Sequence, residues 1–334
     1  MPLLPRVKPH AFPDFVLPPA SSSPSDRSRH ASFDVSGSGR LASFLVRCLK
    51  LLPEQKRVNL KEYLLSGKCR CLGTMCSGTE SPMLVARALR QALATVGIRD
   101  WDPALGFCSD SDKHVRSFLH HMVRPSFLFP DCKALVASHA LDDSNTLVKV
   151  PAVHLLVAGY PCPDVSRLNA EAKASRPLVM QGRLRTGGVF KEGILGYCKQ
   201  HVKEAANAEG DLKAALTENV VGLADVDAID GNSPLDWVSN EWHLAGWWMF
   251  PLMLHPTLFG FMVCRPRIWM PAIPYASFAK SGMSTDEAAE DILSTIHLCM
   301  QAGQEVMWKI QEPLFGHVDI SFRIVFQKMR HEGM

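Results

Sequence analysis

Val153-His154-Leu155-Leu156-Val157-Ala158-Gly159-Tyr160-Pro161-Cys162-Pro163-Asp164-Val165-Ser166 decides the fold, because a buried-strand pattern, Val153 to Ala158, runs straight into a proline-flanked cysteine. Open α/β sheets keep their chemistry at the tips of parallel strands. Cys162 therefore stands at a candidate site. Downstream, Leu216-Thr217-Glu218-Asn219-Val220 reads as another short apolar strand, ending in a carboxylate and an amide. A thiol and an acid at neighbouring strand tips supply a nucleophile and a proton donor.

Outward from this stretch, short apolar runs alternate with helical periodicity from Lys68 onward, which implies a mostly parallel α/β sheet. Cys69 to Thr74 is the first expected strand. Pro82 opens a helix whose Val85, Leu89 and Leu93 form a stripe that ends at Gly97. Leu105 to Cys108 and Ser126 to Phe129 are the next strands, separated by a helix with Val115, Phe118, Leu119 and Met122 on one face. Leu41 to Leu52 and Glu54 to Leu65 read as two helices leading into the domain. Residues 1 to 40, rich in proline and serine, are expected to be disordered. Gly37-Ser38-Gly39 imitates a dinucleotide-binding fingerprint, but no strand precedes it, so it is read as coincidence.

With 334 residues, 47% hydrophobic and 21% charged, the chain can bury a substantial core. A net charge of +3 neither demands nor excludes a polyanionic partner, so basicity has to be read locally. The ten cysteines are irregularly spaced, several in apolar runs, as expected of reduced thiols in a cytoplasmic or nuclear protein. No signal peptide is evident. The apolar run from Gly246 to Val263 is broken by Pro251, His255 and Pro256, so two buried strands with a turn are expected there instead of a membrane span.

Three more stretches join the first. They are Cys71-Leu72-Gly73-Thr74-Met75-Cys76-Ser77-Gly78-Thr79-Glu80-Ser81-Pro82, Glu218-Asn219-Val220, and Val263-Cys264-Arg265-Pro266-Arg267-Ile268-Trp269. Together with Pro161-Cys162, in this order, they resemble the cytosine-5 DNA methyltransferase family. The resemblance covers residues 69 to 270, about two thirds of the chain, and implies a Rossmann-like domain that uses S-adenosylmethionine. It divides the chain into a tail at 1–40, a catalytic domain at 41–272, and a short region at 273–334 where a target-recognition domain is expected.

Cys76, Ser77, Gly78 and Thr79 form the turn between the first strand and its helix, where small residues and free N–H groups suit the amino-acid end of the cofactor. The family has more glycine there and an aromatic residue; Cys76, Glu80 and Ser81 occupy the substituted positions. By resemblance, Asp110 binds the ribose, Asp131 contacts the adenine amino group, and Pro161 lines the cofactor side. For each aspartate the alternative is a helix cap or a solvated loop acid. The resemblance makes Cys162 the nucleophile toward carbon 6 of cytosine, Glu218 the acid at N3, Asn219 the residue that fixes the turn, and Arg267 and Arg265 the cations that steady the developing charge.

Arg167, Lys173, Arg176, Arg183 and Arg185 follow Cys162 with few acids among them; Ser166, Arg167, Arg183 and Arg185 are candidate phosphate contacts. An ordinary solvated loop is the alternative. DNA is the expected partner, with tRNA as the alternative substrate and a catalytically silent nucleic-acid module that keeps the fold as the competing class. Cytosine deaminases also use Pro-Cys, but they need a second cysteine where Val165 stands, and no zinc is expected. Gly231-Asn232-Ser233 matches the family's closing motif in composition but precedes Arg265, in the wrong order. A helix (Thr285 to Ile310) and a strand (Val318 to Phe326) are expected at the C-terminal end.

Overall fold

The computed structural model describes residues 10–11, 36–66, 70–78, 80–204, 212–226, 231–259 and 265–315. In chain order the elements are β1 (His10–Ala11), α1 (Ser36–Leu51), α2 (Glu54–Leu65), β2 (Cys71–Met75), α3 (Ser81–Thr95), β3 (Ala104–Ser109), α4 (Lys113–Met122) and β4 (Leu128–Phe129). The hairpin β5 (His139–Leu141) and β6 (Leu147–Lys149) follows, then β7 (Leu155–Gly159), α5 (Ala172–Val179), α6 (Leu184–Gly188) and α7 (Gly196–Glu204). The chain continues through β8 (Ala214–Val220), α8 (Pro234–Leu244), β9 (Trp247–Met249), β10 (Leu252–Leu254), β11 (Arg267–Pro274), α9 (Tyr275–Ser281) and α10 (Thr285–Phe315).

Among the described residues the main sheet runs β4-β3-β2-β7-β8-β11-β10-β1, with β9 also paired to β11. The segment from β4 to β8 is parallel throughout. This is the doubly wound order, in which the chain first builds outward from β2 and then returns to build on its other side. The order reverses between β2 and β7. Their carboxyl ends carry the turn at Cys76 and the loop at Cys162, so the two sequence motifs meet at the crevice that such a reversal opens. Antiparallel β11 then caps β8 and returns the chain across the same end of the sheet.

Alternation explains why these segments are strands. Along β8 and β11 every second residue is buried, as expected of strands with two unlike faces. Met75, Phe107, Leu156, Ala158, Ala215, Ile268 and Met270 contribute to the main core, together with Phe190, Ile194, Trp242 and Trp247. A smaller cluster of Leu49, Leu64, Ala92, Leu93 and Trp101 joins α1, α2 and α3. At the other end of the sheet, Ile292, Leu293, Ile296 and Met300 of α10 cover Leu252 and Leu258. The described part of 273–334 thus packs on the sheet edge.

Several expectations shift. The strands begin and end one or two residues from the predicted limits, and α10 extends to Phe315. In α3 the buried positions are Met83, Ala88, Ala92 and Leu93, whereas Val85 faces solvent, because α1 covers the helix from a rotated direction. Residues 36–40 form the first turn of α1 and His10–Ala11 pair with β10, so disorder does not extend over the whole of 1–40; the rest of that segment lies outside the described residues. The strand expected at Val318 to Phe326 also lies outside them. Gly246 to Val263 does give two strands, β9 and β10, and no helix among the described residues is long and apolar enough to cross a membrane. Gly231-Asn232-Ser233 leads into α8, where Ser233 and Asp236 form a reciprocal capping box.

Ile268, fully buried in β11, faces the main core. Ile268→Ala should cost about 2–5 kcal/mol, read as a lower urea midpoint at unchanged slope.

Candidate active site

The site is built on the register of three strands. Gly159 at the end of β7 is paired with Glu218 of β8, and Glu218 is paired with Trp269 of β11. Arg267, two residues before Trp269, is therefore the diagonal neighbour of Glu218. Its Nε lies 2.6 Å from Glu218 Oε1, and both side chains are about three-quarters buried, at 21% and 25% exposure. Arg267 Nη1 also donates to the Pro266 carbonyl at 2.9 Å, which fixes the guanidinium plane.

Burial pushes the Glu218 carboxyl above the usual carboxylate range, while the positive charges of Arg267 and Arg265 and the Arg267 hydrogen bond oppose the shift. The result is an acid that holds its proton at higher pH than a solvated glutamate. Gly159 leaves room for it: a Cβ there would come within 3.2 Å of Glu218 Oε2.

Asn219 points to the opposite face of β8 and is 1% exposed. Its Nδ2 donates to the Tyr160 carbonyl at 3.3 Å and its Oδ1 accepts from the Val220 N–H at 2.8 Å. This bond ties β8 to the backbone just ahead of Pro161-Cys162. Beyond Cys162 the chain forms a tight turn, with the Val165 and Ser166 N–H groups donating to the Cys162 carbonyl. Asp164 Oδ2 accepts from the Thr186 N–H at 2.7 Å, joining this loop to α6.

Gly222 is required beneath the loop, since a Cβ at that position would lie 2.0 Å from the Val165 carbonyl oxygen. Asp225, a few residues further on, receives Arg167 Nε at 3.1 and 3.0 Å and Arg176 Nη2 at 2.8 Å. Composition gave no sign of Gly222 or Asp225 as loop anchors, because both act through contacts distant in sequence. Leu168, at the loop's outer edge, is 98% exposed.

On the cofactor side, the turn after β2 places Cys76 and Gly78 in the left-handed region. The Gly78 N–H donates to Asp110 Oδ2 at 3.1 Å, so the two predicted cofactor elements are joined. A Cβ at Gly78 would meet nothing within 4 Å, which leaves open space above the turn. The thiols of Cys76 and Cys132 are hydrogen-bonded; this bond and burial push Cys76 up, while the same bond holds Cys132 below the usual thiol range against the opposing effect of its burial. Ser77 is buried against Ser109. Asp131 caps the short helix at Cys132–Val136 through the Lys133 N–H, the alternative raised for it from sequence. Thr79 lies outside the described residues, as does Val263.

Of the predicted phosphate contacts, Arg183 and Arg185 are exposed on either side of Leu184, and Arg185 is close enough to act electrostatically on Cys76. Arg167 is instead committed to Asp225. Ser166 Oγ accepts from the Leu168 N–H at 3.4 Å. Among the described residues, no group of three or more His, Cys, Asp or Glu side chains could hold a metal ion.

No family profile matches the chain. Two curated proteins do: DNA (cytosine-5-)-methyltransferase DMT5 of Cryptococcus neoformans, 28% identical over 138 residues, and DMT5 of Verticillium dahliae, 32% identical over 111 residues. Over the matched segments the chain is similar to these cytosine-5 methyltransferases. The matched segments are 41% and 29% of this chain but only 6% and 4% of those much longer relatives. Among solved structures, a mutant DNMT2 of Spodoptera frugiperda aligns with 62% of this chain and 50% of its own, at 12% identity and TM-score 0.35. Entamoeba histolytica EhMeth aligns with 61% and 53%, at 9% identity and TM-score 0.38. At such scores these superpositions carry no weight beside the sheet order itself.

Arg267→Ala removes the main counter-charge from a buried acid, so the Glu218 pKa should rise further. Titration of isotope-labelled glutamate Cδ by NMR reads this shift, and a fall would contradict the arrangement. Gly222→Ala should cost about 1–3 kcal/mol and accelerate amide exchange across residues 162–170.

Proposed function

We propose that this chain transfers a methyl group from S-adenosylmethionine to carbon 5 of cytosine in DNA, through a transient covalent bond to Cys162. The observation that carries the reading is the partly buried Glu218–Arg267 pair, held by strand register beside the loop that presents Cys162. A carboxyl group whose hold on its proton is strengthened by burial is suited to give a proton to a ring nitrogen, and an arginine beside it is suited to steady the neighbouring oxygen.

Carbon 5 of cytosine is a weak nucleophile until a group adds at carbon 6. The Cys162 thiolate forms a bond to carbon 6 while the Glu218 carboxyl donates its proton to N3, so the electron pair displaced from the 5,6 double bond becomes available at carbon 5. S-adenosylmethionine, when bound, supplies an electrophilic methyl group to carbon 5. Loss of the carbon 5 proton to a base then expels Cys162 as thiolate, and return of the N3 proton to the Glu218 carboxylate restores the ring and the acid. Arg267 keeps the Glu218 carboxyl oriented throughout, and Arg265 adds positive potential at the same place. Open space at Gly78, with Asp110 fixed beside it, fits a cofactor approaching the turn backbone.

A base inside a duplex is out of reach of such a pocket and has to leave the stack. The fully exposed Leu168, near basic Arg183 and Arg185 in sequence, suits a loop that presses an apolar side chain into the gap. DNA is favoured over RNA by what the two curated relatives are named for.

Oligonucleotides bearing 5-fluorocytosine test the chemistry, because fluorine cannot leave as a proton does. With S-adenosylmethionine present, the full chain should form a denaturation-resistant adduct on DNA, and Cys162→Ala should form none. An adduct on RNA alone would move the substrate assignment to RNA; an adduct retained in Cys162→Ala would remove this residue from the mechanism.

A further inference from the structure

Among the described residues of the turn between β2 and α3, three lie in the left-handed region, Cys76 (φ 54°), Gly78 (φ 53°) and Glu80 (φ 58°). Only one of these is glycine. A residue with a Cβ holds that conformation only where its surroundings over-determine it. Glu80 meets that condition. Although acidic and at a helix N-terminus, it is not a solvated cap: it is 1% exposed.

Its carboxyl is turned under the turn instead. Oε2 accepts from Thr74 Oγ1 at 2.7 Å and from Cys108 Sγ at 3.1 Å. Thr74 Oγ1 also lies 2.7 Å from Ser77 Oγ, and Ser77 Oγ accepts from the Ser109 N–H at 3.2 Å. The backbone completes the frame, with the Ser77 N–H donating to the Ser109 carbonyl and the Glu80 N–H to the Ser77 carbonyl. One side chain thus joins the end of β2, the end of β3 and the start of α3. Burial pushes this carboxyl above the usual range, opposed by hydrogen bonds from Thr74, Cys108, Ser77 and the Met83 N–H. Thr74, Ser77 and Ser109 are themselves buried, so these hydrogen bonds have no competition from water.

Building on the methyltransferase reading above, we propose that Glu80 is the positioning residue of the cofactor turn, its buried carboxyl holding Cys76, Ser77 and Gly78 in the shape that leaves Gly78 open toward the crevice. Glu80 touches no cofactor atom in this role. It sets by side-chain hydrogen bonds a backbone shape that additional glycines would permit without enforcing. The serine, threonine and thiol around it are then a matched set, and the departure from a glycine-rich turn is compensated by the residues beneath it.

Two variants of the full chain test this. Glu80→Gly relieves the left-handed strain and removes the carboxyl together, whereas Glu80→Gln keeps an acceptor for Thr74 and Cys108. The measurements are S-adenosylhomocysteine affinity by calorimetry and amide exchange over residues 73–84 without ligand. Glu80→Gly should weaken binding at least about tenfold and speed exchange at 76–80, while Glu80→Gln stays within about threefold of wild type. Binding and exchange in Glu80→Gly equal to wild type would overturn the proposal. If the wild-type chain binds no S-adenosylhomocysteine, the cofactor reading fails, and ligand-free exchange still decides whether Glu80 holds the turn.

Discussion

The register between β8 and β11 is the constraint on which the site depends. Side chains alternate along a strand, so Glu218 and Asn219 must face opposite ways, and the structure uses both faces. Glu218 meets Arg267 diagonally across the antiparallel pair, and Asn219 reaches back to the Tyr160 carbonyl. A slip of one residue would exchange the two faces, burying the carboxyl where the amide belongs. Alternating buried residues on β8 and β11, Ala215 and Thr217 against Ile268, Met270 and Ala272, make that slip costly. The core therefore fixes the chemistry, by deciding which polar group can point where.

Two loops then hang from rigid strand tips, and they are stiffened by different means. The cofactor turn is fixed from beneath by short-range polar bonds among Thr74, Ser77, Ser109 and Glu80. The Cys162 loop is fixed from its flanks, by Thr186 on Asp164, by the missing Cβ of Gly222, and by Asp225 on two arginines. The polar frame beneath the first is closed to solvent, while Gly78 above it stays open. The second is open at its outer edge, where Leu168 and the basic side chains lie, as expected of a loop that meets a large partner and not a small one.

The strands were legible in the sequence because apolar runs ending in polar residues have few other readings, and the Cys162 and Glu218 tips followed from them. Sheet order and helix faces were less so. Val85 continues a helical stripe in sequence, yet α1 covers a rotated face of α3 and leaves it in water; a single helix cannot report where its neighbour lies. Asp131 and Arg167 illustrate the same point at the site, because their partners, the Lys133 N–H and Asp225, decide their employment. Glu80 was legible only as a departure from a glycine pattern. Its burial depends on Cys108, distant in sequence, so no local reading could have distinguished a buried clamp from a solvated cap.

The shared carboxylate of Asp225 has a consequence for ionic strength. Two arginines, Arg167 and Arg176, are already neutralised in part by one internal acid, and Arg176 is nearly out of water. A cation with an internal counter-charge expels few condensed ions when a polyanion arrives, so it adds little to the dependence of binding on salt. A count of basic residues after Cys162 therefore overstates how steeply affinity for a polyanion falls as salt is added, and the slope reflects mainly exposed cations such as Arg183 and Arg185.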